Sequence, residues 1–139
     1  AQGVNLKKGA KNLLTYLQRE GVPIALATSS VESRARMILD SNGILSLFDH
    51  LVFAKDVKRS KPYPDIFLKA CSDLNVLPEN CLVLEDSEAG IEAASRAGIP
   101  VICIPDLKIP AQSFLNKTEQ VFQDLDAVRD YLESKKEVF

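Results

Sequence analysis

Cysteine is scarce in this sequence, and its distribution argues against two classes of protein. The three cysteines, Cys71, Cys81 and Cys103, are odd in number and form no C-x-x-C pair, which disfavours a disulfide framework and a cysteine-based metal cluster. Each lies in or beside an apolar segment, as reduced core thiols do. Because reduced thiols are typical of the cytosol, we predict a cytoplasmic protein.

Two further absences concern partners. No apolar run approaches the roughly 20 residues of a membrane span, and the first residues lack the apolar core of a signal peptide. The 17 Lys and Arg are outnumbered by 19 Asp and Glu, and the basic residues are scattered along the chain. Proteins that bind a phosphate backbone usually carry a basic excess on one surface. We therefore expect neither a membrane nor a nucleic acid as a partner.

What the sequence does contain is an alternation of strands and helices. The 139 residues suffice for one domain, residues 1–139, with a substantial core, and no internal repeat or low-complexity tract interrupts it. Helix-like spacing separates four short apolar segments, which are IALATSS, HLVFA, CLVLED and PVICIPD. This order predicts an α/β domain with a parallel sheet and helices on both faces.

Local signals predict where several elements begin. The spacing Ser29-x-x-Glu32 resembles a capping box at the start of the second helix, and Pro64 suits the first turn of the third. A final amphipathic helix is predicted over about 125–135. The segment KIPAQSFLNKTEQ before it is predicted to be the one long irregular connection.

Polar side chains follow three of the predicted strands, where ligands bind in parallel α/β sheets. They are Thr28, Ser29 and Ser30 after the first strand, Ser60 and Lys61 in the loop after the second, and Glu85 and Asp86 after the third. Hydroxyls and free N–H groups at a helix start bind phosphate, and a lysine neutralises a phosphoryl group. Two adjacent carboxylates repel each other unless they share a cation such as Mg²⁺.

Each of these residues also has a plainer interpretation. Ser29 or Ser30 would simply cap the second helix, Lys61 would be a solvated surface lysine, and Asp86 would cap the helix that follows it. Taken singly, the interpretations remain open, because Ser and Asp are preferred caps and most lysines are exposed. The three groups at one sheet edge favour a phosphate and Mg²⁺ site.

Three segments together carry a resemblance to a known family. IALATSS, SKPYPDIF and VLEDSEAGIEAASRAGIPVICI, in this order between about Leu6 and Asp106, resemble the haloacid dehalogenase-like hydrolase superfamily, and more closely its β-phosphoglucomutase and sugar-phosphate phosphatase branch. The resemblance implies a three-layer Rossmann-like parallel sheet, a Mg²⁺ cofactor, an aspartyl-phosphate intermediate and a small phosphorylated substrate. It implies that Thr28, with the backbone N–H of Ser29, binds the phosphoryl group and that Lys61 bridges nucleophile and phosphoryl oxygens. Glu85 and Asp86 would help to hold Mg²⁺, with Asp86 the surer ligand.

The sequence departs from the family at its nucleophile. The family carries an Asp-x-Asp motif on an N-terminal strand that lies between the strands ending here at Thr28 and Glu85, followed by a substrate-selecting cap domain; neither is found here. The one Asp-x-Asp, Asp124-Leu125-Asp126, is interpreted as a helix start, since Asp caps helices well. We therefore predict an incomplete sheet with two unpaired strand edges, completed by a missing N-terminal segment or a strand-swapped partner chain, and no turnover by these residues alone.

The leading hypothesis is thus a Mg²⁺-dependent phosphatase or phosphomutase once that segment is supplied. The alternative is a non-catalytic phosphate-binding or interaction module on the same scaffold. A receiver or flavodoxin-like domain is disfavoured. Those folds place their key acidic residues or their phosphate-binding loop after the first strand, and IALATSS contains neither.

Overall fold

The computed structural model describes residues 7–106 and 108–138. The helices are α1 (Ala10–Arg19), α2 (Glu32–Ser41), α3 (Asp65–Leu74), α4 (Glu88–Ala97), α5 (Gln112–Leu115) and α6 (Leu125–Val138). The strands are β1 (Ala25–Thr28), β2 (His50–Phe53), β3 (Val83–Glu85), β4 (Val101–Cys103) and β5 (Gln120–Val121). Single 3₁₀ turns lie at Leu45–Leu47, Ala54–Asp56 and Pro78–Asn80.

Every pairing among the described strands is parallel, which confirms the predicted α/β class. β1 pairs with β2, with Thr28 opposite Phe53. β4 lies between β3 and β5, with Glu85 opposite Cys103. Within the described ranges β1 and β3 do not pair with each other, so the strands form two sheets, of two and three strands. Each of these two strands therefore has one edge without a ladder, as expected for an incomplete sheet.

Helices cover both faces, and β4 shows how the sequence divides between them. Val101 and Cys103 belong to a buried cluster with residues of α3 and α4, whereas Ile102 and Ile104 belong to a second cluster with α1 and α6. Alternate residues of a strand point to opposite faces, so one apolar strand fills both clusters. The three-layer arrangement follows from this alternation.

The start of α2 differs from the prediction. Its N-cap is Val31, with no side-chain capping bond, so the proposed Ser29–Glu32 capping box is wrong. Glu32 is the first helical residue, two positions before the third helical position that a capping box requires, and its carboxylate accepts instead from Arg36 Nε at 2.7 Å. Pro64 is the N-cap of α3, one position before the first turn.

The connection before α6 is more regular than predicted, because it holds α5 and β5. Both residues of β5 are exposed, so this short strand adds nothing to the core. Its pairing with β4 comes from the tertiary fold. Asp124 caps α6 as predicted, since its Oδ1 accepts from the N–H of Ala127 at 2.9 Å.

The thiols agree with the expectation of reduced core cysteines. Cys71 and Cys103 are buried, Cys81 is half-buried, and all are free. Across 7–106 and 108–138, no helix combines the length and the apolarity that crossing a bilayer would need.

Candidate active site

The candidate site lies at the carboxyl ends of β1 and β3. β1 ends at Thr28 and β3 at Glu85, and the two ends are joined by one side chain from the loop before α3. The Lys61 ammonium donates to the Ala27 carbonyl oxygen at 3.4 Å and to Glu85 Oε2 at 3.1 Å. The predicted convergence of these loops is therefore present at the sheet edge.

Lys61 is mostly covered by the protein, which removes its interpretation as a solvated surface lysine. Its side chain is 13% exposed, and that of Glu85 is 10% exposed. The ammonium also lies 5.0 Å from the centre of the Phe67 ring, and the Lys61–Pro62 peptide bond is cis. A buried charge pair of this kind is costly to break, because the partner left behind would be unpaired.

Glu85 has both of its oxygens occupied by the protein. Oε2 accepts from Lys61, while Oε1 accepts from the N–H of Asp86 at 3.1 Å and from the N–H and Oγ of Ser87 at 3.3 and 3.1 Å. Burial, the largest influence, would raise the pKa of Glu85, but the charge and hydrogen bond of Lys61 together hold that pKa below its usual range. Glu85 is therefore an ionised anchor for Lys61.

A glycine on α4 makes room for this anchor. A Cβ built at Gly90 would lie closer than 3.0 Å to the Cγ, Cδ and Oε2 atoms of Glu85, a distance that real Cβ contacts essentially never show. Gly90 was not among the site residues predicted from the sequence. Its signal was present, since glycine inside a helix is unfavourable and usually has a packing reason.

Asp86 faces a different environment. Its carboxylate is 39% exposed, and its Oδ2 lies 3.7 Å from the Lys7 ammonium, which is also 4.0 Å from Asp106 Oδ1. Burial, followed by the hydrogen bond and negative charge of Glu85, raises the pKa of Asp86. Asp86 does not cap α4, because Ser87 is the N-cap and accepts from the N–H of Gly90 at 3.0 Å.

Thr28 and Ser29 form the turn that leaves β1. Thr28 Oγ1 accepts from the N–H of Ser30 at 3.1 Å, and Ser29 is exposed. Neither Ser29 nor Ser30 caps α2, so their capping interpretation is wrong. Their hydroxyls remain at the sheet edge beside the end of β1.

The donor set at this edge fits part of a Mg²⁺ site. Mg²⁺ commonly takes one or two carboxylates and completes its octahedron with water and phosphate oxygens. Asp86 offers such a carboxylate, and the nearby Lys7 ammonium shows that its position attracts a cation. In the part of the chain that the structure describes, no cluster of three or more His, Cys, Asp or Glu side chains forms a complete metal cage.

Comparisons with known proteins agree with this architecture. A family profile described as haloacid dehalogenase-like hydrolase matches residues 1–104. The chain is 40% identical over 121 residues to validoxylamine A 7'-phosphate phosphatase of Streptomyces hygroscopicus subsp. limoneus, covering 87% of this chain and 56% of that protein.

Two solved structures are similar along most of the chain. β-Phosphoglucomutase from Clostridium difficile superposes with a TM-score of 0.79 at 29% identity, covering 94% of this chain and 56% of that one. A haloacid dehalogenase family hydrolase from Deinococcus radiodurans R1, with bound phosphate and sodium, gives a TM-score of 0.80 at 28% identity, covering 91% and 58%. The chain thus spans little more than half the length of each of these three proteins.

Proposed function

Because this chain belongs to the haloacid dehalogenase-like hydrolase family, we propose that its protein is a Mg²⁺-dependent phosphoryl-transfer enzyme. The substrate class is a small phosphorylated, sugar-type metabolite, and the reaction is that of a phosphatase or phosphomutase. The relatives with phosphatase and phosphoglucomutase names support this class. The predicted cytoplasmic location stays a prediction.

The observation that carries the proposal is the largely covered Lys61–Glu85 pair at the sheet edge. A buried ammonium fixed by Glu85 and by the Ala27 carbonyl is pre-oriented, so it stabilises negative charge on a transferring phosphoryl group without reorganising. The Thr28 hydroxyl and the N–H of Ser29, at the end of the adjacent strand, would bind its oxygens. Most of the catalytic power in phosphoryl transfer comes from such positioning and charge stabilisation.

Asp86 would hold the metal ion, with Glu85 beside it. When bound, Mg²⁺ would neutralise the phosphoryl oxygens and polarise the phosphorus toward attack. Glu85 would contribute less to the metal site and would mainly fix Lys61, because its oxygens already accept hydrogen bonds from Lys61, Asp86 and Ser87. Asp86, half-exposed, has capacity left for a cation.

The attacking carboxylate is proposed to come from a strand outside these residues. The facing edges of β1 and β3 have no ladder partner within the described ranges, and buried backbone groups need partners. A further strand with an Asp-x-Asp end, inserted between them, would pair both edges and bring a carboxylate next to Lys61. Asp124-Leu125-Asp126 does not fill this role, since Asp124 caps α6.

The test is turnover of phosphorylated sugars by the full-length protein, with and without Mg²⁺. We expect Lys61→Met to lower kcat by about 100-fold or more, the usual loss when one electrostatic stabiliser is removed, and Asp86→Asn to raise the Mg²⁺ concentration needed. Lys69→Met, at an exposed lysine paired with Asp73, serves as the control and leaves kcat unchanged. Turnover that survives both Lys61→Met and Asp86→Asn contradicts the proposed roles.

The alternative, a non-catalytic phosphate-binding module, predicts a different result. Such a protein would bind a phosphate analogue at the Lys61 edge, more tightly with Mg²⁺, yet show no turnover at full length. Analogue binding together with turnover supports the enzyme.

A further inference from the structure

A second polar cleft lies between α1 and α6, away from the Lys61–Glu85 pair. Its volume is about 170 Å³, and we call it the α1–α6 cleft; its lining residues are Lys11, Asn12, Thr15, Tyr16, Arg19 and Arg129. Five of them belong to α1, where spacings of three and four residues place them along one side of the helix. Arg129 faces them from α6. None of the six has a role in the candidate active site.

The charge of this cleft is unbalanced. Lys11, Arg19 and Arg129 carry three positive charges, and among the described residues none of them forms an ion pair with a carboxylate. Several basic side chains elsewhere in the described part of the chain have acidic partners, as Arg96 does with Glu92 at 2.8 Å. Cations gathered without counter-charge attract an anion.

Arg129 adds an observation that points to a ligand. Its Nε is buried and has no hydrogen-bond acceptor, the one such side-chain atom found in the described part of the chain. The guanidinium lies 5.4 Å from the centre of the Tyr16 ring, which fixes its orientation over α1. Buried N–H donors are nearly always satisfied, so an orphaned donor beside an open cleft indicates an acceptor supplied from outside the chain.

We propose that the α1–α6 cleft binds a small phosphate-bearing anion. Its volume is well below the roughly 300 Å³ of a pocket for a drug-sized ligand, so it suits a single tetrahedral group with little attached. Three cations suit a ligand with two negative charges, such as a phosphate dianion, better than a ligand with a single carboxylate. Asn12 and Thr15 offer neutral hydrogen-bond donors beside these cations. This site does not depend on the proposed function, since it shares no residue with the candidate active site.

The test is an NMR titration of the full-length protein in the absence of Mg²⁺, at constant ionic strength. Inorganic phosphate and glycerol phosphate form two arms, which tell whether the site takes the free ion or an esterified phosphate. We expect saturable shifts of the Thr15 and Tyr16 amides in at least one arm. Shifts confined to the amides around Lys61, or linear with concentration at α1, would overturn the proposal.

Variants separate specific binding from general attraction. Lys11→Gln and Arg19→Gln change exposed residues, so both should fold, and each should weaken the affinity read at Thr15 by about tenfold. Arg129→Lys keeps the charge but removes the Nε donor, and it should weaken the phosphate affinity by a similar factor. Arg34→Gln, at an exposed arginine of α2 outside the cleft, is the matched control and should bind as the parent does. Equal losses in Arg34→Gln and Arg19→Gln would mean that net charge alone acts, which would also overturn the proposal.

Discussion

Replacing Gly90 with alanine tests whether the close approach of α4 to Glu85 holds the site together. In an ordinary helix interior this change stabilises by about 1 kcal/mol, because alanine is the better helix former. Here the new Cβ would overlap the Cγ, Cδ and Oε2 atoms of Glu85, all of which belong to a side chain fixed at its end by Lys61 and Ser87. The carboxylate therefore has to move away from its partners.

The magnitude follows from what Glu85 loses when it moves. A hydrogen bond to a charged group is worth about 1.5–3 kcal/mol, and the displaced carboxylate gives up at least one of those made with Lys61 and the Asp86–Ser87 turn. After the helix gain is subtracted, we expect Gly90→Ala to lower the free energy of unfolding by about 1–2 kcal/mol. For a domain of this size that corresponds to a fall in Tm of about 3–7 °C.

The assay is equilibrium unfolding in urea, with two controls. Ala89→Gly, at an exposed position of the same helix, calibrates helix propensity and should cost about 1 kcal/mol. In a Glu85→Ala background the obstructing atoms are absent, so Gly90→Ala should become stabilising by about 1 kcal/mol. If Gly90→Ala destabilises equally in both backgrounds, the contact with Glu85 is not the cause and the reasoning is refuted.

Three other substitutions or reagents address neighbouring features. Lys61→Met should lower the free energy of unfolding by about 3–5 kcal/mol, because it leaves the Glu85 charge buried and unpaired, and adding Glu85→Gln should recover part of this loss in urea unfolding. Asp124→Ala removes the cap bond to Ala127 and should cost about 1 kcal/mol, whereas Asp124→Asn, itself a good cap, should cost little; equal losses would exclude capping. Burial, with the neighbouring half-buried thiol 3.1 Å away, raises the pKa of Cys71 to about 12, so at pH 8 it is neutral and should resist iodoacetamide until the protein unfolds, as read by peptide mass spectrometry.

The positions of the strands along the chain and the sheet edge that holds the site were predictable because they depend on local signals. IALATSS and CLVLED are short apolar runs that stop at polar residues, and the stop marks the carboxyl end of a strand whatever the rest of the chain does. In a parallel sheet these ends share one edge. The residues Thr28 and Glu85 could therefore be assigned to that edge without knowledge of any contact.

The contacts themselves were not predictable in the same way. Lys61 and Glu85 are 24 positions apart, and only the packing of α3 against β1 and α4 brings the ammonium to the carboxylate. The predicted capping box of α2 is wrong because the helix begins two residues later than predicted. Glu32 is then in the first turn, where its carboxylate accepts a hydrogen bond from Arg36. β5 was missed because a polar two-residue strand exists only through its pairing with β4.

The adjacent carboxylates Glu85 and Asp86 acquire different roles from the geometry of a strand end. Successive side chains of an extended segment point in opposite directions, so the two carboxylates cannot occupy one environment. Glu85 points toward α4 and Lys61, where hydrogen bonds and an opposite charge lower its pKa. Asp86 points toward Lys7 and solvent, and the negative charge beside it helps to raise its pKa. A divalent cation relieves that repulsion most effectively at Asp86, because its carboxylate is more exposed than that of Glu85 and its ion pair with Lys7 is longer than the Lys61–Glu85 pair. This favours Asp86 as the metal ligand and leaves Glu85 to hold the lysine.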